Sequence, residues 1–202
     1  MLSLCAGALS AEPVTVLALG DSLTQGYGLP AEQGFVPQLQ AWLDARGTQV
    51  TVLNAGVSGD TTAGGLSRLA WALTPEVDAM IVTLGGNDLL RGIDPATSRA
   101  NLDAIMAEAQ ARALPVLLIG MEAPGNYGPD YKTRFDAIYP ELAARYDALL
   151  APDFFAAFEG ADPASLGDVM QGDGLHPNAE GVARIVEILG PQVLDLIAKV
   201  PQ

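Results

Sequence analysis

The chain is poor in the residues on which metal and redox sites depend. Its 202 residues include one cysteine, Cys5, and one histidine, His176. A protein zinc site draws three or four ligands from Cys, His and carboxylates, commonly in paired motifs on a helix or short loop. The sequence contains no such pairing, so we expect no metal site.

Basic residues are also scarce. The chain has 10 Lys and Arg against 24 Asp and Glu, a formal net charge of −14. Such a field opposes binding to nucleic acid and electrostatic docking to anionic lipid. No apolar run approaches the roughly 20 residues of a membrane-spanning helix. We therefore expect no nucleic-acid partner and no integral membrane segment.

Length and composition favour one globular domain. Half of the residues are hydrophobic and 17% are charged, which is ordinary for a chain with a full core. We assign this domain to residues 13–202 and treat residues 1–12 as a tail or signal-peptide remnant. The stretch from Ala8 to Ala11 resembles the end of a secretory signal, although the usual basic segment before it is missing. This predicts a periplasmic or secreted protein; an ordinary N-terminal tail is the alternative.

Short apolar runs alternate with helical patterns along the chain. Strands are predicted over 14–19, 50–53, 79–84 and 116–119, with a short fifth over 153–158. Helices are predicted over 35–46, 61–73, 98–113, 129–150 and 178–200, with a new start or kink at Pro140 and an interruption near 190–191. The alternation predicts an α/β domain with a mainly parallel sheet.

Polar, glycine-rich motifs follow the first three predicted strands. GDS at 20–22 follows the first, NAG at 54–56 the second and GGND at 85–88 the third. The DGLHP turn at 173–177 precedes the last helix and can fold back over the same edge. Open α/β sheets bind ligands at the carboxyl ends of their strands, so we expect the site there.

Ser22, His176 and Asp173 have the chemistry of a nucleophile, its base and the base's partner. A serine hydroxyl is a weak nucleophile until a base takes its proton, and a carboxylate fixes the tautomer of that base. Asp173 precedes His176 by three residues and can reach its imidazole through one turn. Asp21 and Asp88 are weaker rivals for that role. Taken alone, a serine after a strand is more often a turn or helix cap.

Acyl transfer also needs hydrogen-bond donors for the developing oxyanion. The Ser22 N–H, the Gly56 N–H and the side-chain amide of Asn87 are the candidates. For Gly56, and for Gly85 and Gly86 beside Asn87, the alternative is that glycine is there only to form a turn. Two other classes of protein remain, an FMN-binding flavodoxin-like domain and a non-catalytic small-molecule binding module. Neither gives the Asp173–His176 pair a task.

Together these residues resemble the SGNH, or GDSL, hydrolase superfamily. Its four marks occur in order, as Ser22 in GDSLTQGYG, Gly56 in NAGVSGDTT, Asn87 in GGND and His176 in DGLHPN. The motifs NYG at 126–128 and IYP at 138–140 further resemble its bacterial thioesterase, arylesterase and lysophospholipase branch.

The resemblance implies a flavodoxin-like three-layer α/β/α sandwich with about five parallel strands. It implies a Ser22–His176–Asp173 triad, an oxyanion hole of Ser22, Gly56 and Asn87, and an acyl ester or thioester substrate without any cofactor. The stretch 89–93 is implied as a wall of the acyl pocket, and Leu89, Leu90, Ile93 and Tyr127 are its expected apolar contacts. A carbohydrate O-acetyl esterase is the alternative within the superfamily.

Overall fold

A five-stranded parallel sheet forms the centre of the protein. The computed structural model describes residues 13–160 and 163–201, and the strand order is β2–β1–β3–β4–β5. This is the order of flavodoxin-like folds. The strands are β1 Val14–Gly20, β2 Val50–Gly56, β3 Ala79–Thr83, β4 Val116–Ile119 and β5 Leu149–Ala151.

Helices cover both faces of the sheet, which confirms the three-layer sandwich that the family resemblance implies. Helices α2 and α8 pack together on one face, and α3, α5, α6 and α7 cover the other. The helices are α1 Ser22–Gln25, α2 Phe35–Asp44, α3 Thr62–Ala72, α4 Gly86–Leu90, α5 Pro95–Ala111, α6 Pro129–Asp136, α7 Ile138–Tyr146 and α8 Ala179–Ala198.

The core consists of two apolar clusters, one on each face of the sheet. In β1, Val16 and Ala18 point into the cluster beneath α2 and α8, whereas Leu17 and Leu19 point into the opposite one. All four side chains are buried. Because successive strand residues face opposite sides, a strand covered on both sides must be apolar throughout. This explains the uninterrupted apolar runs.

Four strands lie where they are predicted, but the fifth prediction is wrong. β5 is Leu149–Ala151 and pairs with β4 through Leu117 and Leu149. Asp147 ends α7 in the left-handed conformation (φ 51°), so the chain leaves the helix just before the strand. The predicted segment 153–158 instead forms turns and a short 3₁₀ helix.

The helix predictions differ mainly at proline. The predicted helix over 129–150 divides at Ala137, and Pro140 lies in the first turn of α7, where its missing N–H costs no helical bond. Helix α5 begins at Pro95, earlier than predicted, because the Asp94 carboxylate caps it by accepting from the Ala96 N–H (2.9 Å). Helix α8 continues through Pro191, so the predicted interruption is wrong.

Over 13–160 and 163–201, no helix combines the length and the apolar character needed to span a bilayer. The predicted N-terminal tail, residues 1–12, lies outside the described residues, as does Gln202 at the end of the predicted domain.

Gly85, between β3 and α4, is a position where only glycine fits. Its φ is +125°, and a Cβ there would collide with the Tyr139 hydroxyl, which donates to the Leu84 carbonyl (2.9 Å). We expect Gly85→Ala to lower the free energy of unfolding by at least about 2 kcal/mol through backbone strain and overpacking.

Denaturant unfolding of Gly85→Ala beside Gly128→Ala tests this prediction. Gly128 also has a positive φ (+89°), but a Cβ there meets nothing within 4 Å. The control therefore carries backbone strain without the clash. Equal losses in the two variants would contradict the packing argument.

Candidate active site

Ser22, His176 and Asp173 form a continuous hydrogen-bonded chain. The Ser22 Oγ lies 2.9 Å from His176 Nε2, and His176 Nδ1 lies 2.7 Å from Asp173 Oδ2. Asp173 Oδ1 also accepts from the backbone N–H groups of Leu175 (2.9 Å) and His176 (3.0 Å). The bond from the imidazole, followed by those two N–H groups, lowers the pKa of Asp173 to about 2. The carboxyl group is therefore ionised throughout the neutral range.

Ser22 is placed by the tight turn between β1 and α1. Asp21 caps α1, its carboxylate accepting from the Leu23 N–H (3.0 Å), so Ser22 is the first helical residue. The Gly20 carbonyl accepts from an Arg68 guanidinium N–H (2.9 Å), which fixes the end of the strand. The Ser22 N–H belongs to the first turn of a helix, where N–H groups have no partner within the helix.

His176 is placed by a loop that Gln171 holds together. The Gln171 N–H donates to the His176 carbonyl (2.8 Å), and its side-chain amide donates to the Pro177 (3.0 Å) and Tyr27 (2.8 Å) carbonyls. The Tyr27 ring lies 4.8 Å, centroid to centroid, from the imidazole. Sequence reasoning gave Tyr27 and Gln171 no role. The signal in the sequence is their position, since Tyr27 belongs to GDSLTQGYG and Gln171 lies two residues before the DGLHP turn.

Asn87 lies on α4, which a buried carboxylate anchors. The Asp88 side chain accepts from the Thr62 N–H (2.8 Å) and hydroxyl (2.6 Å), and from the Ser98 hydroxyl (2.8 Å). It therefore ties α4 to α3 and α5. The Asn87 amide donates to Asp21 Oδ2 (3.3 Å). Of the three candidate carboxylates, it is Asp173 that bonds the imidazole Nδ1. Asp21 and Asp88 accept from other donors.

Gly56 ends β2 beside Gly20 in the parallel register. Its N–H donates to Asn54 Oδ1 (2.9 Å), and Gly56 is not among the residues that line the cavity over Ser22. The structure therefore places this N–H toward a side chain two residues back, rather than toward an open oxyanion position. The reason is local: an asparagine side chain readily accepts from the backbone two residues on.

A cavity of about 660 Å³ opens over Ser22 and His176, a size typical of small-molecule sites. Three of the predicted apolar contacts line it, namely the buried Leu89 and the exposed Leu90 and Tyr127. Ile93 does not line it; its carbonyl instead accepts from the Tyr131 hydroxyl (2.9 Å). Apolar lining residues not foreseen from the sequence are Leu23, Met121, Pro124, Phe155 and Leu175.

Among the described residues, the charged side chains that line the cavity are all acidic. Its lining contains the carboxyl groups of Asp21, Glu122, Asp153 and Asp173 and no Lys or Arg. Burial raises the pKa of Asp153. In the ranges 13–160 and 163–201, no three His, Cys, Asp or Glu side chains are grouped so that they could hold a metal ion. The lining disfavours a polyanionic ligand.

Asp21 is a buried acid of the site whose pKa is raised. It is 2% exposed, and burial raises its pKa from an ordinary value of 3.8 to about 6 against the opposing hydrogen bonds from Leu23 and Asn87. Desolvation therefore outweighs those bonds. Near neutral pH the group is mostly ionised, so it acts as an acceptor for both donors.

Comparison with known proteins gives the family. Residues 18–184 match the GDSL-like Lipase/Acylhydrolase family. The chain is 40% identical over 184 residues to Esterase TesA of Pseudomonas aeruginosa, covering 91% of this chain and 89% of the relative. It is 36% identical to Thioesterase 1/protease 1/lysophospholipase L1 of Escherichia coli K12, covering 91% and 85%.

A solved structure shares the fold. The psychrotrophic esterase EstA of Pseudoalteromonas sp., in a structure inhibited by monoethylphosphonate, superimposes with a TM-score of 0.83 at 32% identity, covering 92% of this chain and 99% of that one. The chain belongs to the GDSL-like lipase/acylhydrolase family. It is accordingly a carboxylic ester hydrolase of the SGNH type, as the sequence motifs predict.

The pKa of Asp21 predicts a pH-dependent stability difference between wild type and Asp21→Asn. The folded state holds the Asp21 proton more tightly than the unfolded state, so wild type is favoured at low pH. That advantage is lost as the pH rises from below 3.8 through about 6. At about 1.4 kcal/mol per pKa unit, the loss relative to the variant is about 3 kcal/mol.

Denaturant unfolding of both proteins at about pH 4 and about pH 8 measures most of this difference. Only the change between the two pH values matters, because any constant packing effect of the substitution cancels. A difference that does not vary with pH would show that Asp21 titrates alike in the folded and unfolded states.

Proposed function

We propose that the chain hydrolyses carboxylic esters and thioesters through Ser22 as nucleophile, His176 as general base and Asp173 as the partner of the base. The observation that carries this proposal is the continuous chain from Asp173 Oδ2 through the imidazole to Ser22 Oγ, with distances of 2.7 and 2.9 Å. Both lie within the reach that proton transfer requires.

The reaction has two steps. Ser22 Oγ attacks the acyl carbon while His176 Nε2 takes the hydroxyl proton, and the ionised Asp173 stabilises the resulting imidazolium. The tetrahedral intermediate collapses as the C–O or C–S bond breaks, and Nε2 returns the proton to the departing alcohol or thiol. A water molecule then attacks the acyl-serine in the same way and releases the acid. The steps invoke no metal or organic cofactor.

We assign the oxyanion to the Ser22 N–H, the Asn87 amide and the Gly56 N–H. Ser22 and Asn87 both line the cavity, which supports their assignment. The Gly56 N–H is engaged by Asn54, so it becomes a donor to substrate only after the Asn54 side chain is displaced. The Ser22 N–H and the Asn87 amide are therefore the two donors that stabilise the oxyanion during the initial attack.

The acyl chain is proposed to lie against Leu89, Leu90 and Tyr127. Leu90 and Tyr127 are large and exposed, at 61% and 43%, which is the condition for gaining apolar contact when a ligand covers them. The names of the relatives, an esterase and a thioesterase/lysophospholipase, support both ester and thioester substrates. The acidic lining favours substrates whose leaving group is not strongly anionic.

A periplasmic or secreted location is part of this proposal. It is supported by the signal-like composition of residues 1–12 and by the presence of a single cysteine, Cys5, within that segment. Removal of the segment would leave a mature chain without thiols, which suits an oxidising compartment.

We expect Ser22→Ala to lower kcat by about 10⁴-fold or more, because it removes the nucleophile. The assay is hydrolysis of p-nitrophenyl esters over a series of acyl lengths, which also shows what length the pocket prefers. Ser67→Ala is the matched control, since that exposed hydroxyl on α3 bonds only its own helix, at the Gly64 carbonyl (2.7 Å). Substantial turnover in Ser22→Ala would refute the serine mechanism.

We expect Asn87→Ala to lower kcat by about 10²–10³-fold with little change in KM, the usual effect of losing one oxyanion donor. Steady-state kinetics on the best ester of the series gives both constants, and thermal unfolding checks that the variant is folded. An unchanged kcat would remove Asn87 from the oxyanion site.

A further inference from the structure

We propose that Asp21 is a positioning residue whose carboxylate selects the orientation of the Asn87 amide that presents an N–H group to the cavity. The inference rests on the proposed function, because it concerns the donor that Asn87 supplies to the oxyanion. Asp21 itself touches neither the reacting atoms nor the acyl chain in this scheme.

Both oxygens of the Asp21 carboxylate are already committed as acceptors. Oδ1 accepts from the Leu23 N–H (3.0 Å) and Oδ2 accepts from Asn87 Nδ2 (3.3 Å). The side chain is buried at 2% exposure, so water cannot readily replace either partner. A carboxylate offers no donor, and only the nitrogen end of the Asn87 amide can satisfy Oδ2.

An asparagine amide has two ends of nearly equal shape and opposite hydrogen-bonding character. With Nδ2 turned toward Asp21, one of its hydrogens bonds the carboxylate and the other is left for an acceptor in the cavity that both residues line. The opposite orientation would put Oδ1 at this position. A carbonyl oxygen there would repel a developing oxyanion, so the orientation decides between stabilisation and repulsion.

The backbones on either side of this contact are held independently. Asn87 belongs to α4, which the buried Asp88 ties to Thr62 and Ser98. Asp21 is fixed by capping α1. With both backbones fixed, the freedom that remains is rotation about the side-chain bonds of Asn87, and its bond to Asp21 restricts that rotation.

Comparing Asp21→Asn with Asp21→Ala tests the proposal. In the Asn variant, Oδ1 must still accept from the Leu23 N–H, so the new NH₂ group faces Asn87 and turns the Asn87 oxygen toward itself. We expect kcat to fall by about 10²–10³-fold, as for loss of the donor, with KM little changed. The Ala variant removes the conflicting donor, so we expect it to lose only about tenfold.

A purely structural role for Asp21 would give the reverse order of kcat in these two variants. Asn keeps the helix cap and the side-chain volume, whereas Ala loses both, so Asn would be the milder change if Asp21 only supported the fold. Thermal unfolding should still rank Asn as the more stable variant. A kcat that is lower in Ala than in Asn would overturn the proposal.

A double-mutant cycle separates this proposal from the proposed function. Once Asn87→Ala has removed the amide, Asp21→Asn should cause no further loss in kcat, because there is no orientation left to select. An equal loss in both backgrounds would overturn the positioning role while leaving Asn87 as a donor. Full activity of Asn87→Ala alone would instead refute the oxyanion assignment on which the inference rests.

Discussion

Parallel pairing of β1 with β2 and β3 is the constraint on which the rest of this structure depends. The register sets Gly20 beside Gly56 on one side and Thr83 on the other, so the turns that follow all leave from one edge. The register is fixed because each set of alternate side chains packs into its own core cluster, and a shift by one residue would place each set in the cluster shaped for the other. Ser22 and Asn87 therefore reach the same cavity although 65 positions separate them.

Two buried carboxylates hold in place the turns and helices that follow these strands. Asp88 satisfies donors from Thr62 and Ser98 and so holds α4 against its neighbours. Asp21 caps α1 and bonds Asn87, joining the turn after β1 to the turn after β3. Because a buried carboxylate is costly without partners, each enforces its local geometry. The perturbed pKa of Asp21 shows that its position is maintained at an electrostatic cost.

Residues with a local signal could be predicted from the sequence, and residues defined by distant contacts could not. Four strands followed from their apolar runs, and Asp173 with His176 followed from three-residue spacing in a polar turn. β5 was missed because its three residues continue an apolar helical pattern, and only the left-handed Asp147 separates them from α7. The contact of Gln171 with Tyr27 spans 144 positions and has no local pattern. The Asn54 side chain accepting from the Gly56 N–H is a local contact, but the sequence alone does not show which acceptor that N–H faces.

The two sides of the proposed active site are held in place by different contacts. Ser22 and Asn87 belong to short helices that follow β1 and β3, whereas His176 lies on a loop whose ties to the rest of the fold include the bonds from Gln171. Such a loop can open at a free-energy cost well below that of global unfolding. Because opening of the loop would separate His176 from Ser22, we expect activity to be lost at a lower temperature or denaturant concentration than the sheet.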